Sequence, residues 1–336
     1  MSFERYSRQM LFSPIGEEGQ EKLSKRKVLI VGIGALGTVI ANHLVRAGVG
    51  YVRLIDRDYV EASNLQRQML FDEQDVKQST PKAVAAERKL RMINSDITIE
   101  GIVGDVTVEN LDRLLEGVDL VLDGTDNFKT RFLLNDACFK KGIPFAYGGA
   151  VSARGMSALF IPGKTPCLRC FIQHGDGQGQ TCDTIGVISP VVDIVSSYQV
   201  IEVLKYLVGD IDSLRGTLRT FDVWNNHQFD MKFKLPKKDC PTCQLKEYPS
   251  LHSEQDEVTT LCGRETVQIN RGQKNDLKLW SERLKRVAQV KETPFLLRVQ
   301  LDEGERLVIF PDGRILVQGT EDLTRARSLY SKYIGD

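Results

Sequence analysis

Two Cys-x-x-Cys clips, Cys167/Cys170 and Cys240/Cys243, carry the most specific chemistry in this 336-residue chain. Each clip turns two sulfurs toward one side of a metal, and two clips supply the four thiolates of a closed tetrahedral zinc site. Four sulfurs leave no position open for substrate, so this zinc is expected to be structural, tying the end of a core domain back to its middle. Equal spacing in both clips sets that reading above four free or redox thiols. With seven cysteines, four of them clipped, the chain suits a reducing cytoplasm better than a disulfide framework.

The reactive chemistry must lie elsewhere, and a glycine loop points to it. Gly32-Ile33-Gly34-Ala35-Leu36-Gly37 stands between an apolar run and a helical pattern. The first glycine permits a tight turn and the second lets backbone approach a phosphate. The helix start that follows offers unpaired N–H groups and a positive dipole end. Asp56 closes the next apolar run, where a carboxylate accepts hydrogen bonds from ribose hydroxyls. Alone, this motif says only adenine nucleotide, with NAD the default. The neighbouring charges argue for more phosphate. Arg67, in Ser63-Asn64-Leu65-Gln66-Arg67-Gln68, and Lys82, after Pro81, bring two cations to the loop. A triphosphate carries about four negative charges and needs such cations and a metal, whereas a pyrophosphate needs little. Asp126, in Leu122-Asp123-Gly124-Thr125-Asp126-Asn127, is an oxygen ligand suited to magnesium at the end of a further strand.

These residues need a scaffold, and the pattern supplies one. Apolar runs at 27–32, 51–56, 97–102, 120–123 and 145–149 alternate with helical patterns at 35–47, 81–92 and 130–141. Fully apolar strands separated by helices mean a parallel sheet covered on both faces. Beyond Gly155 the expected strands (156–161, 217–223, 229–233) are antiparallel, broken by a long helix near 190–208. Asp193, Glu202 and Lys205 interrupt that helix, so it reads as buried rather than membrane-spanning. Forty-five basic residues balance forty-five acidic ones, so nothing favours nucleic acid as partner. The opening residues are charged from the fourth onward and do not read as a signal peptide.

Together, the glycine loop, Ser-Asn-Leu-Gln-Arg-Gln, Pro-Lys, Thr-Asp-Asn, the two clips and, between them, Thr181-Cys182 resemble the ThiF/MoeB/HesA family, bacterial relatives of ubiquitin-activating E1 enzymes. The likeness runs from about Arg5 to Cys243. It implies an α/β fold: a Rossmann-like E1 adenylation domain with a mixed sheet (1–249), followed by a small α+β domain (250–336). The implied reaction joins AMP from ATP to the C-terminal glycine of a small ubiquitin-like sulfur carrier, releasing pyrophosphate. That carrier is of ThiS type for the thiazole of thiamine, or of MoaD type for molybdopterin. The resemblance also implies a homodimer, and the cofactors ATP, Mg²⁺ and Zn²⁺.

Transferred by motif, Asp56 binds ribose, and Gly32, Gly34, Ala35 and Gly37 meet the nucleotide. Ser63, Asn64, Arg67 and Lys82 bind the triphosphate, Asp126 holds magnesium, and Asn127 lies beside the adenosine. Arg8 reaches the partner subunit's phosphates. Many relatives have glycine where Ala35 stands; a backbone contact tolerates the methyl. No general base is needed, because the carrier's carboxylate is already ionised at neutral pH.

Cys182 lies in a glycine-rich stretch before the long helix, and the resemblance links it to sulfur transfer; this favours a ThiS-type carrier over MoaD. Cys138 and Cys262 read as inert thiols and His174 as a surface residue. Residues 248–257 read as a linker, followed by a strand (266–269), a helix (277–290), a strand (295–300), a hairpin around Pro311-Asp312-Gly313 and a last helix (323–333). Cys262 does not resemble a rhodanese cysteine, so sulfur is expected from a separate donor such as a cysteine desulfurase. Two other classes stand against adenylation. A nicotinamide oxidoreductase would not need Arg67, Lys82 and Asp126, and a non-catalytic adaptor would have lost some of them.

Overall fold

The computed structural model describes residues 3–172, 185–252, 258–261, 265–270 and 272–335. The chain divides into two compact units, Met1–Ser253 and Glu254–Asp336.

In the first unit, helices α1 (Ser7–Met10) and α2 (Gly16–Lys25) precede strand β1 (Lys27–Val31). Helix α3 (Ala35–Ala47) and β2 (Tyr51–Asp56) follow, then α4 (Glu73–Gln78), α5 (Lys82–Ile93) and β3 (Thr98–Val103). Next come α6 (Val108–Leu114), β4 (Leu120–Asp123), α7 (Phe128–Lys141) and β5 (Phe145–Val151). Strand β6 (Arg154–Phe160), helix α8 (Ser189–Val208), β7 (Thr217–Asp222) and β8 (His227–Lys232) complete the unit. The strands form one sheet in the order β3-β2-β1-β4-β5-β6-β7-β8. Its first five strands run parallel and the remainder antiparallel, as the change of pattern near Gly155 implied.

Alternation along β1 shows why both faces are covered. Val28 and Ile30 join a core with Ile40 and Leu44 of α3, Leu90 of α5 and Val195 of α8. Leu29 and Val31 face the other way, toward Leu111 of α6 and Phe132 and Leu134 of α7. The charges within α8 are accommodated by pairing: buried Glu202 accepts from Lys205 Nζ at 2.8 Å and from Arg215 N at 2.8 Å. Among the described residues no helix is long and apolar enough to cross a membrane.

The second unit is a six-stranded antiparallel sheet, ordered β11-β12-β13-β14-β10-β9. Its strands are β9 (Val258–Leu261), β10 (Thr266–Asn270), β11 (Gln289–Glu292), β12 (Leu297–Gln300), β13 (Arg306–Ile309) and β14 (Arg314–Gln318). Helices α9 (Leu277–Leu284) and α10 (Leu323–Tyr333) pack on one face through Trp280, Leu284, Ala326 and Leu329.

Two expectations are corrected. The helix over 277–290 ends at Leu284, and Gln289–Glu292 form a strand paired with Leu297–Gln300. Ala288 continues the helical spacing of Trp280 and Leu284, but Thr293 turns the chain, its Oγ1 accepting from Phe295 N and Leu296 N. The stretch expected as a linker, 248–257, does contain the division between the two units, but its first residues are anchored to the first unit. Ser250 N donates to Asp136 at 2.9 Å, and its hydroxyl accepts from Arg169 at 2.6 Å.

Candidate active site

The glycine loop sits where β1 ends, against the end of β4. Gly32 has φ +84°, a conformation that favours glycine, and a Cβ there would fall 2.8 Å from the Gly124 carbonyl oxygen. A Cβ on Gly37 would fall 1.9 Å from the Gly32 oxygen, and one on Gly124 would fall 2.3 Å from it. Three glycines therefore pack backbone on backbone, bringing the start of α3 against two strand ends. Gly34 is different: a Cβ there would meet only the Gln68 amide, at 3.7 Å. Its surroundings leave room for a ligand.

Asp56 closes β2 beside this loop. One carboxylate oxygen accepts from Ile33 N at 2.6 Å and the other from Asp58 N at 2.7 Å. Burial pushes its pKa up, and the nearby Lys82 charge offsets part of that shift. Each oxygen keeps a further lone pair for a ribose hydroxyl.

Lys82 begins α5 and is only 4% exposed, its Nζ 3.2 Å from Asp58. A buried ammonium with a single carboxylate partner has donors to spare for phosphate. Asn64 is buried, its side-chain oxygen accepting from Glu61 N at 3.1 Å, and Ser63 is exposed. Arg67 is half-buried and donates to the Ser63 carbonyl at 3.0 Å, which leaves much of its guanidinium uncommitted. Asp126 is exposed just beyond β4, while Asn127 caps α7 by accepting from Thr130 N at 2.9 Å. Arg8 is exposed on α1, two residues after buried Tyr6, whose hydroxyl accepts from Asn94 at 2.8 Å.

The structure thus brings Gly32, Gly34, Ala35, Gly37, Asp56, Ser63, Asn64, Arg67, Lys82, Asp126 and Asn127 to the carboxyl edge of the parallel strands or the connections that leave it. Ligands bind at that edge in open α/β sheets. Cys182, His174 and Cys262 lie outside the described residues. Cys138 is buried in α7, and desolvation pushes its thiol well above the ordinary range, so it is inert.

The clips meet. Cys167 and Cys240 sulfurs are 3.5 Å apart, as are those of Cys170 and Cys243, and all four lie within 4.8 Å of one another. A tetrahedron with metal–sulfur bonds of about 2.3 Å has sulfurs about 3.8 Å apart, so the donor set fits zinc. Hydrogen bonds from Cys167 pull the Cys170 and Cys240 thiols down, Cys240 to about 6. Asp136 fixes both clips together. It takes two bonds from Arg169 of the first clip, each 2.9 Å, and one from Thr242 of the second.

Sequence reasoning missed Asp58, Gly124, Arg131 and Asp136. Asp58 was the most accessible of these, since it stands two residues after Asp56 and so on the same side of an extended chain.

A family model decides the relationship: the ThiF family matches residues 6–242. The chain belongs to the ThiF family. The sulfur carrier protein ThiS adenylyltransferase of Bacillus subtilis (strain 168) is 47% identical over 336 residues, covering 98% of this chain and 99% of that protein. The protein of the same description from Escherichia coli (strain K12) is 37% identical over 242 residues, covering 72% of this chain and 95% of its own length. Among solved structures, E. coli MccB with AMPCPP and selenomethionine MccA has a TM-score of 0.63 at 25% identity, covering 71% of this chain and 74% of that one. The ThiF-family match covers the glycine loop, the Asp126 strand and three of the four clip cysteines; Cys243 lies one residue beyond it.

Proposed function

We propose that this chain is an adenylyltransferase that joins AMP from ATP to the C-terminal glycine of a ThiS-type sulfur carrier protein, releasing pyrophosphate. The likeness to the ThiS adenylyltransferase of Bacillus subtilis over nearly the whole chain supports that carrier over a MoaD-type one. The observation that carries the reaction is that the glycine loop, Lys82 buried at the start of α5, half-buried Arg67 and Asp126 exposed just beyond β4 all stand at the carboxyl edge of the parallel strands or in the connections that leave it.

These residues act by position and charge. The backbone at Gly34 and Ala35 and the start of α3 receive phosphate, and Asp56 holds the ribose. Asn64, Arg67 and Lys82 bind the triphosphate and stabilise charge as the carrier's carboxylate displaces pyrophosphate from the α-phosphorus. Asp126 would hold magnesium, which neutralises phosphate charge when bound. Asn127 lies beside the adenosine as well as capping its helix. In a homodimer, exposed Arg8 supplies a further cation across the interface. Cys167, Cys170, Cys240 and Cys243 would hold a structural zinc, a set that persists in a reducing compartment such as the cytoplasm. A separate sulfur donor such as a cysteine desulfurase and the thiol of Cys182 serve the later sulfur step.

Carrier-dependent ATP–pyrophosphate exchange tests the assignment. Asp126→Ala and Arg67→Ala should each lower exchange by about a hundredfold or more while the protein stays folded. Near wild-type exchange in either variant would remove that residue from the site.

A further inference from the structure

Strands β4 and β5 pair only at Val121 with Phe145 and Leu122 with Ala146. Around that short pairing, side chains from the two flanking helices bond to backbone carbonyls of both strands and of the turn after β4. From α8, Gln199 Nε2 donates to Asp123 O at 2.9 Å and to Ala146 O at 3.2 Å. From α7, Arg131 Nη2 donates to Thr125 O at 2.6 Å and to Gly148 O at 3.1 Å. Its Nε meets the Asp123 carboxylate at 3.0 Å. The second Asp123 oxygen accepts from Thr125 N at 2.9 Å and from Thr125 Oγ1 at 2.7 Å.

Thr125 is therefore gripped at its N–H, hydroxyl and carbonyl by one buried ion pair, and the next residue is Asp126. Phe128 and Tyr147 flank the guanidinium, their ring centroids 5.2 and 5.3 Å away. Hydrogen bonds to all three acceptors require a planar fork of donors, which lysine lacks.

We infer that Arg131 is a positioning residue for adenylation: its guanidinium sets the Thr125 turn, and through it the Asp126 carboxylate, against the middle of β5 at Gly148. This rests on the reading of Asp126 as the magnesium-holding carboxylate. Arg131 itself is buried, so its effect runs through Thr125. A small displacement of Asp126 would shift the charge that meets the phosphates, and misplacement by about 1 Å can cost about a hundredfold in rate.

The test uses the full chain with a purified ThiS-type carrier, following pyrophosphate exchange as magnesium is varied, and beside it the magnesium dependence of AMPCPP binding by calorimetry, which should weaken in the same variants. Arg131→Lys keeps the charge beside Asp123 and loses the fork. It should lower kcat about tenfold or more and raise the magnesium concentration for half-maximal rate several-fold, with KM for ATP little changed. The double variant Asp123→Asn with Arg131→Gln removes both buried charges together, avoids leaving one unpaired, and should show the same two changes. Exchange and magnesium requirement within about twofold of wild type in folded variants would overturn the inference. Failure of both variants to fold would also overturn it, reducing the pair to a stability element. Asp126→Asn separates the two layers. If that variant leaves the magnesium requirement unmoved, the reading of Asp126 fails; if it moves the requirement and Arg131→Lys does not, only the role of Arg131 fails.

Discussion

Lys82 Nζ lies 3.2 Å from the Asp58 carboxylate, and the lysine side chain is almost wholly removed from water. The ammonium that meets phosphate in the proposed reaction is thus already neutralised within the protein. Asp58→Asn leaves that charge buried with less compensation and should cost about 1–3 kcal/mol of stability. Saturating ATP with magnesium should restore much of the loss, since phosphate supplies the missing counter-charge to the folded state alone. Denaturation with and without nucleotide checks this. A loss that nucleotide leaves unchanged would separate Lys82 from the triphosphate.

The two glycines of the loop region should respond oppositely. Gly124→Ala drives a methyl into the Gly32 carbonyl and should destabilise the unit by about 3 kcal/mol. Gly34→Ala meets only a side-chain amide, so the fold should survive while KM for ATP rises. Melting temperatures and ATP titrations distinguish the outcomes. Equal destabilisation by both would mean that Gly34 does not border a ligand space.

The clips predict one zinc per chain. Cys240→Ser should lose metal and lower the melting temperature by roughly 10 °C, with initial exchange rates per folded molecule close to wild type. Elemental analysis and calorimetry measure both. Full metal content in the variant would contradict the four-cysteine site.

Adenylation uses a carboxylate, ATP, magnesium and fixed positive charge, but no thiol. Cys182→Ser should therefore leave pyrophosphate exchange near wild type while lowering carrier thiocarboxylate formation in a reconstituted system with a sulfur donor. Collapsed exchange would move Cys182 into the adenylation site. Unchanged thiocarboxylate yield would make it a bystander.

Much of the scaffold was legible because its central strands, β1 and β4, are apolar on both faces and its glycine loop has few conformational options. Runs such as Leu120–Asp123 stand out whatever surrounds them. Helices Gly16–Lys25, Glu73–Gln78 and Val108–Leu114 were not read, being short or largely polar and anchored by a few contacts. The small unit misled at Ala288, where helical spacing continued past the residue that ends the helix.

In the site, residue type and placement marked Arg67, Lys82 and Asp126, and equal spacing marked the cysteines. The residues that hold them in place were invisible for a physical reason: their partners are distant in the chain. Asp136 meets Thr242 across 106 positions and Arg169 across 33. Nothing local marks such pairs before the sheet assembles.

The central claim is that this chain activates the terminal carboxylate of a sulfur carrier at the site around Gly34. The most direct measurement is ATP–pyrophosphate exchange by the purified protein with a ThiS-type carrier, beside the same carrier lacking its terminal glycine and beside a MoaD-type carrier. The account predicts magnesium-dependent exchange with the intact ThiS-type carrier, little with the MoaD-type carrier, and none with the truncated one. Exchange that ignores the truncation, or no exchange with the intact carrier, would contradict it.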